Sequence, residues 1–364
     1  MHRLATALLL LSVAARGEEI RIELSRGKAV AHLAAPGGRV EQNGNELELP
    51  ARSHEIVAHA GELRVDGRAI EGGAPVVFHA GTAPVRLDGK TLPGRIEIWA
   101  DARGLVMVNA LDLEEYVAAV VASEVPSGWP DAALQAQAVA ARTFAVAQKI
   151  AQGPAARAHL GSSVLDQVYA GSVHPASSAL RAARATAGEV LTFGSAPIAA
   201  YFSASCGGKS ETAEDAFDVP LGSTPYLLSR RDDADEGRAW TVRKSLADLS
   251  LSLRKAGRVL APITGIDVSS RTASGRARTV RLETGAGDRT LTAVELRQIL
   301  GYGALPSLAF DVSVDGSAAV FRGRGNGHGV GLCQWGARAR ALRGESYRAI
   351  LAWYYPGADI RKMY

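Results

Sequence analysis

The chain has 364 residues and a formal net charge of +4, with a sequence pI near 9.1. This length is sufficient for two domains that each bury a core. The small positive excess, without a basic run interleaved with aromatic residues, excludes a typical nucleic-acid-binding surface, so no nucleic acid is predicted as a partner. A weakly cationic exterior suits an anionic surface, and ordinary solubility explains the same balance equally well.

The first fifteen residues have the layout of a secretory signal. Arg3 supplies a short positive start, an apolar run extends from Leu4 to Val13, and the small residues Ala14 and Ala15 follow. The run is too short for a convincing membrane span. The sequence therefore predicts cleavage after Ala15 and an exported protein of the periplasm or cell envelope, with membrane attachment only if the signal is retained.

Residues 16–110 are predicted to form a β-rich N-terminal unit. Short segments such as IRIEL, HEIVAH and RIEIWAD alternate apolar and polar residues, and turns rich in Gly, Asp and Pro separate them. This alternation is typical of strands with one buried face, so most residues of the unit are interpreted as packing residues.

A helical hairpin is predicted after residue 110. Asp112 is placed to cap the first helix, and Glu115 occupies the reciprocal capping position. From Leu113 onward, apolar residues recur at the spacing that gives a helix one buried stripe. Glu124 returns to within about 20° of the bearing of Leu113 at 100° per residue. The pattern therefore places a carboxylate on the apolar side of the last turn.

The bend of the hairpin is predicted in the residues that follow Glu124. Pro126 ends the first helix, and Trp129 and Pro130 begin the second, with the proline in its first turn. The bend is expected to present Glu124 beside Trp129. A carboxyl group shielded by an aromatic ring has its neutral form favoured and can act as a general acid. The alternative is a glutamate at a helix end, solvated by the turn.

Two strands, EVLTF and PIAAYFSAS, are predicted on either side of a turn at Gly194 and Ser195. In the second strand Tyr201, Ser203 and Ser205 alternate onto one face. Hydroxyl groups on one face of a strand are candidates to line a sugar site. Neither serine has the sequence signal of a neighbouring base and orienting acid, which argues against a serine nucleophile.

The composition shifts between about residues 225 and 308, which predicts a small mixed subdomain inserted into the second half of the chain. Its first part, RRDDADEG, is interpreted as a solvated charged loop. A Thr-x-x-Glu capping box at Thr292 and Glu295 predicts a helix near its end.

A glycine-rich stretch, FRGRGNGHGVGLCQWG, follows the subdomain. Glycine at every second position from Gly323 to Gly331 would give an extended chain one bare face, open to a flat ligand or another strand. The other face would carry Arg322, Arg324, Asn326, His328 and Val330. His328 is a candidate to hydrogen-bond a sugar or tune Glu124, or to act as a structural donor.

Five blocks in this sequence resemble the SpoIID/LytB family. They are EYVAAVVASEVP, WPDAALQAQAVAARTFA, VLDQVYAG, PIAAYFSASCGG and GRGNGHGVGLCQWGA, and they occur in the family's order. The resemblance implies a lytic transglycosylase that cleaves peptidoglycan glycan strands stripped of their peptides, with Glu124 at the position of the catalytic glutamate. It also implies that Asp166, Gln167 and Tyr169 form a wall of the substrate groove. The alternative for these three residues is a turn with an Asp cap and a half-buried Tyr. Gln334 is expected to contact substrate.

The fold class expected from these observations is α+β. A β-rich unit at 16–110 precedes a SpoIID-like domain at 111–364, in which the helical hairpin carrying Glu124 joins a mixed core with the inserted subdomain.

Cys206 and Cys333 each lie in a block expected to border the groove. In an exported protein a disulfide between them is the default prediction. Some family members hold zinc, and Cys206, Cys333 and His328 would offer three ligands, but their spacing does not support a zinc site. No cofactor is therefore predicted.

The mechanistic hypothesis gives one carboxyl group two tasks. Glu124 protonates the glycosidic oxygen between N-acetylmuramic acid and N-acetylglucosamine, and then takes the proton of the muramoyl O6 as a 1,6-anhydro ring closes. No water is needed, so a single carboxylate suffices where ordinary hydrolysis uses two. The competing hypotheses are a non-catalytic peptidoglycan-binding activator of an N-acetylmuramoyl-L-alanine amidase, and a scaffold carried by the β unit.

Overall fold

The computed structural model describes residues 18–47, 53–70, 73–162, 167–217, 219–235 and 237–364. The predicted signal segment, residues 1–15, and Asp166 lie outside these ranges. Within them, no helix combines the length and the apolar character needed to cross a bilayer.

The N-terminal region consists of two antiparallel sheets, as its alternating sequence predicts. Its strands are β1 (Glu19–Lys28), β2 (Val30–Ala34), β3 (Val40–Gln42), β4 (Asn45–Glu46), β5 (His54–His59), β6 (Glu62–Val65), β7 (Arg68–Ile70), β8 (Val76–His79), β9 (Val85–Leu87), β10 (Lys90–Leu92), β11 (Arg95–Asp101) and β12 (Gly104–Asp112). One sheet has the order β1-β12-β11-β8-β3-β4 and gains a short later strand, Leu160–Gly161, parallel to β1 at its edge. The other has the order β10-β9-β2-β5-β6-β7. Alternate residues of both sheets, including Ile22, Leu33, Ile56 and Ile98, share one core.

The predicted helical hairpin follows as α1 (Leu113–Glu124) and α2 (Asp131–Gln152). The Asp112 carboxylate accepts hydrogen bonds from the backbone N–H groups of Glu114 and Glu115, which confirms the predicted N-cap. Pro130 lies at the N-cap of α2 rather than in its first turn, because its ψ of 141° is extended and not helical.

Helix α2 lies between two hydrophobic cores. Ala138, Ala141 and Ala145 are buried in the core shared with α1 and the N-terminal sheets, where their small side chains allow close packing. Ala136 and Val139 belong to a second core formed with C-terminal elements. The hairpin is therefore fixed from both sides, which positions its bend.

The segment after α2 contains β13 (Leu160–Gly161), α3 (Ser178–Ala185), β14 (Glu189–Phe193), β15 (Ala196–Pro197), β16 (Phe202–Ser203) and α4 (Ala213–Phe217). The predicted turn at Gly194 and Ser195 joins β14 to β15. The predicted continuous strand from Pro197 to Ser205 is wrong. The chain leaves β14 after Pro197. It pairs again at β16, in parallel with a strand that contains Cys333, and Ser205 then forms an isolated antiparallel bridge with Asn326.

A third core defines the inserted subdomain. Its elements are β17 (Ala239–Ser245), α5 (Leu246–Lys255), β18 (Ile263–Arg271), β19 (Ala277–Thr284), β20 (Arg289–Thr292), α6 (Ala293–Leu300), β21 (Phe310–Asp315) and β22 (Ala318–Arg324). The capping box of Thr292 and Glu295 is present at α6. Strand β22 lies between β17 and β21, so the subdomain extends past the predicted boundary near Leu308 to Arg324.

The chain closes with β23 (Leu332–Cys333), α7 (Gln334–Leu342), α8 (Tyr347–Tyr354) and β24 (Asp359–Lys362). Between β22 and β23 the glycine-rich segment is not the extended ribbon that its alternation predicts. Its φ is +77° at Gly325 and +69° at Gly331, so the chain bends repeatedly. Close approach explains the choice of glycine, because a Cβ at Gly331 would lie 2.0 Å from the carbonyl oxygen of Tyr201.

A buried ion pair holds the two helices of the hairpin together. The guanidinium of Arg142, whose side chain is 0% exposed, donates to both carboxylate oxygens of Glu114, at 2.8 and 2.6 Å. Burial alone would raise the pKa of Glu114, but the hydrogen bond and charge of Arg142 outweigh it and lower the pKa below its ordinary value of 4.5. The pair therefore stabilises the fold when Glu114 is ionised.

We predict that Glu114→Gln lowers the free energy of unfolding by about 3 kcal/mol at neutral pH, since it leaves the Arg142 charge buried and unpaired. Because the folded-state pKa is depressed, the difference from wild type persists above the ordinary pKa of Glu114 and narrows as the pH falls through the folded value. Urea unfolding at several pH values measures this. The control Glu115→Gln, an exposed neighbour, should change stability by no more than about 0.5 kcal/mol, and equal losses in both variants would contradict the prediction.

Candidate functional site

Glu124 lies at the C-terminal end of α1 with its side chain half-buried. Its Oε1 accepts a hydrogen bond from the backbone N–H of Val168 at 3.1 Å. Its Oε2 accepts one from Nε2 of Gln334 at 3.3 Å. The carboxyl group is thus held between the segment after α2 and the first residue of α7, rather than being solvated by the turn.

Gln334 is positioned by its own surroundings. It is buried, and its Nε2 also lies 3.4 Å from Oε1 of Gln137 on α2. The preceding residue, Cys333, is the N-cap of α7, and its sulfur accepts the N–H of Gly336. The start of α7 therefore fixes the amide that contacts Glu124.

Two tryptophans and two arginines pack together at the start of α7, where Trp335 follows Gln334 in the chain. We refer to Trp129, Trp335, Arg238 and Arg338 as the tryptophan–arginine wall. The two indole rings meet edge to face, with centroids 5.1 Å apart. The guanidinium groups of Arg238 and Arg338 lie 4.2 and 5.4 Å from the Trp335 centroid. Within the described ranges, neither arginine has an ion-pair partner.

Gln167 and Tyr169, expected in the wall of a substrate groove, lie inside the protein. Gln167 accepts a hydrogen bond from the hydroxyl of Tyr116 at 2.8 Å and donates to the carbonyl of Ala141. The Tyr169 hydroxyl donates to Oδ1 of Asn109 at 2.6 Å, and burial raises the pKa of Tyr169. Both side chains fix the backbone around Val168, whose N–H donates to Glu124. They therefore support Glu124 from the protein interior and do not line a groove.

Ser203 and Ser205 are also placed in the interior, which corrects their predicted sugar-lining role. The Ser203 hydroxyl accepts the N–H of Gly329 at 3.2 Å, and the Ser205 hydroxyl donates to Oδ2 of Asp235 at 2.7 Å. Tyr201 is half-buried, with its ring 4.4 Å from that of Phe217 between centroids. The two serines are buried because the strand is interrupted after Pro197. The residues beyond the interruption pack against the glycine-rich segment and do not form an open sheet face.

His328 is half-buried against aromatic rings. Its centroid lies 5.0 Å from that of Phe217 and 6.1 Å from that of Tyr201. Its Nδ1 accepts the N–H of Val330 at 3.0 Å, and the ring also hydrogen-bonds the backbone of Phe202. Burial lowers the pKa of His328 to about 4. These contacts favour the structural role over the tuning of Glu124.

The two cysteines are buried and free, so the predicted disulfide is not present in the structure. Each sulfur instead lies near Oδ2 of Asp235, at 3.4 Å for Cys206 and 3.3 Å for Cys333. The three ligand atoms lie within 4.8 Å of one another. The ligand set considered from the sequence is thus corrected, because Asp235 joins the cysteines in place of His328.

The sequence reasoning missed Asp232, Asp235 and Arg238, which lie in or just after the segment RRDDADEG. This segment was interpreted as a solvated charged loop, but Asp232 is 1% exposed and Asp235 is 5% exposed. Arg231 and Asp233, with 85% and 78% of their side chains exposed, do fit that interpretation. The Asp-x-x-Asp spacing was the available signal, since the turn brings both carboxylates and Ala234 toward the interior while Asp233 faces solvent.

We predict that Ser203→Ala lowers the free energy of unfolding by about 1–3 kcal/mol, because it leaves the buried N–H of Gly329 without an acceptor. Ser195→Ala, in the exposed turn between β14 and β15, is the control and should stay within about 0.5 kcal/mol of wild type. Chemical denaturation measures both. If Ser203→Ala lowered the free energy of unfolding no more than the control does, the Ser203 hydroxyl would lie on an open surface and the prediction would be wrong.

Comparisons with known proteins agree with this architecture. The family described as stage II sporulation protein (SpoIID) matches residues 101–193, which include the whole helical hairpin. A domain of unknown function, DUF8618, matches residues 223–331, which include the inserted subdomain and most of the glycine-rich segment.

Individual relatives extend the match. An uncharacterized protein of Brachyspira hyodysenteriae is 32% identical over 258 residues, covering 70% of this chain and 68% of that protein. The amidase enhancer of Bacillus subtilis is 29% identical over 66% of this chain, which spans only 39% of the enhancer's length. The stage II sporulation protein D of Bacillus amyloliquefaciens is 32% identical over 279 residues, covering 70% of this chain and 75% of that protein. This chain belongs to the SpoIID family.

Proposed function

We propose that this protein is an exported peptidoglycan lytic transglycosylase of the cell envelope, with Glu124 as its general acid and base. The observation that carries the proposal is the placement of the Glu124 carboxyl group, which is held by the Val168 N–H and by the amide of Gln334, the residue before Trp335 of the tryptophan–arginine wall. The family relationship and the names of the relatives support a role at the cell wall.

In the proposed reaction, the same carboxyl group first donates one proton and then accepts another. Glu124 protonates the oxygen that links C1 of N-acetylmuramic acid to N-acetylglucosamine, and the C1–O bond breaks. The muramoyl O6 then bonds to C1, and its proton passes to the Glu124 carboxylate. The products are a free N-acetylglucosamine end and a 1,6-anhydro end, so no water is consumed and no second carboxylate is required.

The contacts of Glu124 suit this double role. A general acid must be held within hydrogen-bond reach of the reacting oxygen, and two fixed donors restrict the carboxyl group to one orientation. Gln334 is itself fixed by Gln137 and by the N-cap at Cys333. The exposed parts of Trp129 and Trp335 offer apolar faces against which pyranose rings pack.

The two arginines of the wall match a substrate from which peptides have been removed. The stem peptide is joined to muramic acid through an amide at the lactyl group, and its removal leaves a free carboxylate there. Arginine binds carboxylates through paired, charge-assisted hydrogen bonds that an amide cannot reproduce. We therefore assign Arg238 and Arg338 to the lactyl carboxylates of peptide-free strands.

The second candidate function is a non-catalytic activator of a cell-wall amidase. The match to the amidase enhancer favours this candidate, although the chain spans only a part of that protein. Under this alternative the tryptophan–arginine wall would bind glycan, and Glu124 would serve only as a structural acceptor for Val168 and Gln334.

We predict that Glu124→Gln lowers the rate of anhydro-muramoyl product formation from peptide-free glycan strands by about 10²–10⁴-fold, the usual contribution of general acid–base catalysis. Glutamine keeps the size of the side chain but has no proton to donate. Product analysis by mass spectrometry, with purified protein and no partner, measures the rate. Glu115→Gln, an exposed change in the first turn of the same helix, is the control and should leave the rate unchanged.

Two outcomes would contradict the proposal. Equal product formation by wild type and Glu124→Gln would remove the catalytic assignment. Wild-type protein that binds the strands, forms no product and raises the rate of an added N-acetylmuramoyl-L-alanine amidase would identify the activator instead.

We predict that Arg338→Gln and Arg238→Gln each raise the KM for peptide-free strands by about tenfold or more, because a hydrogen bond to a charged group contributes about 1.5–3 kcal/mol. The same substitutions should leave the KM for strands that retain their peptides unchanged, since the lactyl groups of those strands carry no charge. Arg343→Gln, an exposed arginine after α7, is the control. A uniform loss on both substrates would assign the arginines to packing of the wall.

A further inference from the structure

A buried cluster of sulfur and carboxylate ligands lies behind the candidate site. Cys206, Cys333 and Asp235 bring their ligand atoms within 4.8 Å of one another. Asp232 lies at the edge of the cluster, with Oδ2 3.7 Å from the Cys206 sulfur. Side chains of all four residues are nearly inaccessible to solvent.

Three separate segments converge to make this cluster. Strands β16 and β23 run in parallel with Ser203 opposite Cys333, which brings the Cys206 loop beside the start of α7. The turn from Asp232 to Asp235 packs against that loop so closely that a Cβ at Gly237 would lie 2.9 Å from the backbone of Gly207. Backbone contacts therefore preform the arrangement.

The Asp235 carboxylate is buried and directed at both thiols. Its Oδ2 accepts hydrogen bonds from the Ser205 hydroxyl at 2.7 Å and the Gly207 N–H at 2.9 Å, and it faces both thiols. Across the residues that the structure describes, Asp235 forms no ion pair with an arginine or lysine. The buried guanidinium of Arg276 interacts electrostatically with Asp235 and both sulfurs, but it donates to the carbonyl of Cys206 and not to the carboxylate. A metal ion bound directly to the carboxylate and the sulfurs would balance their negative charge further.

The surroundings of Cys333 are those of a thiolate ligand. Its sulfur accepts backbone N–H groups from Cys206 at 3.2 Å and from Gly336 at 3.4 Å, and it lies at the N-terminus of the nine-residue helix α7. Backbone donors and a helix N-terminus favour a deprotonated sulfur. Burial and the neighbouring Cys206 and Asp235 raise the pKa of Cys333 in the metal-free protein, so the thiolate would form together with metal binding. A disulfide sulfur carries no charge, so the backbone donors and the helix N-terminus would stabilise a disulfide less than a thiolate.

We propose that Cys206, Cys333 and Asp235 bind one Zn²⁺ ion in a tetrahedral site. Asp232 lies outside this group of three, with Oδ2 3.7 Å from the Cys206 sulfur, and a small rotation of its side chain would supply the fourth ligand. Zinc bonds of about 2.3 Å to sulfur and about 2.0 Å to oxygen place neighbouring sulfur and oxygen ligands about 3.5 Å apart. The sulfur-to-oxygen distances of 3.3, 3.4 and 3.7 Å surround that value. Two thiolates exclude the oxygen-binding cations calcium and magnesium.

The surroundings of the cluster complete the site. Asp232 is oriented by the Tyr354 hydroxyl at 2.7 Å and by Arg340 at 3.5 Å, as expected of outer contacts that hold a ligand in place. A cleft of about 510 Å³ lined by Cys206, Gly207 and Trp240 offers an entry path. Because Gln334 follows Cys333 directly, the ion would be structural and would fix the start of α7.

The experiment measures metal content and thiol state in the intact chain. Purified protein is analysed by inductively coupled plasma mass spectrometry, and its cysteines are alkylated after unfolding in chelator. The proposal predicts about one zinc ion per chain and two alkylated cysteines. Replacement by Co²⁺ should give thiolate-to-cobalt charge-transfer absorption and the strong visible bands of tetrahedral cobalt.

Asp235→Asn should weaken zinc binding by at least about tenfold in competition with a chelator. Asp233→Asn, the exposed residue between the two proposed ligands, is the matched control and should bind zinc like wild type. A metal-free protein would overturn the proposal, whether its cysteines resist alkylation as a disulfide or react as free thiols. The wild-type cobalt spectrum decides the question even if Asp235→Asn fails to fold.

Discussion

The hydrogen bond from Gln334 to Glu124 is the contact on which the site depends. It joins residues 210 positions apart in the sequence, one at the end of α1 and the other at the start of α7. Neither end is free to move independently. Glu124 belongs to a helix anchored by the Arg142 ion pair, and Gln334 belongs to a helix capped by Cys333. The geometry of the carboxyl group is therefore a property of the whole fold, not of one loop.

This constraint explains why so many polar groups of the chain are buried. Gln167, Tyr169, Ser203 and Ser205 use their side chains to fix the backbone segments that meet around Glu124 and the glycine-rich stretch. Each buried polar group is costly unless it is hydrogen-bonded, so such a network specifies one arrangement. In the proposed reaction, that arrangement is what keeps a single carboxyl group aligned through two successive proton transfers.

The fold was largely predictable, whereas half of the site was not. Period-two alternation identified the N-terminal sheets, and the Asp112 cap with its apolar stripe identified α1 and placed Glu124 at the bend. These signals are local, and they report which face of an element is buried. Ser203, Ser205 and Gln167 were misplaced because their partners lie far away in sequence. Asp232 and Asp235 were missed because charge composition indicates solvent exposure, and only tertiary contacts show that a turn directs them inward.

The central claim is that the glycosidic bond is broken without water as the nucleophile. Digestion of peptide-free glycan strands by purified protein in ¹⁸O-labelled water tests it most directly, because a hydrolase places the label at each new reducing end. The account predicts anhydro-muramoyl ends that contain no ¹⁸O. Labelled reducing ends would contradict the account, and so would intact strands.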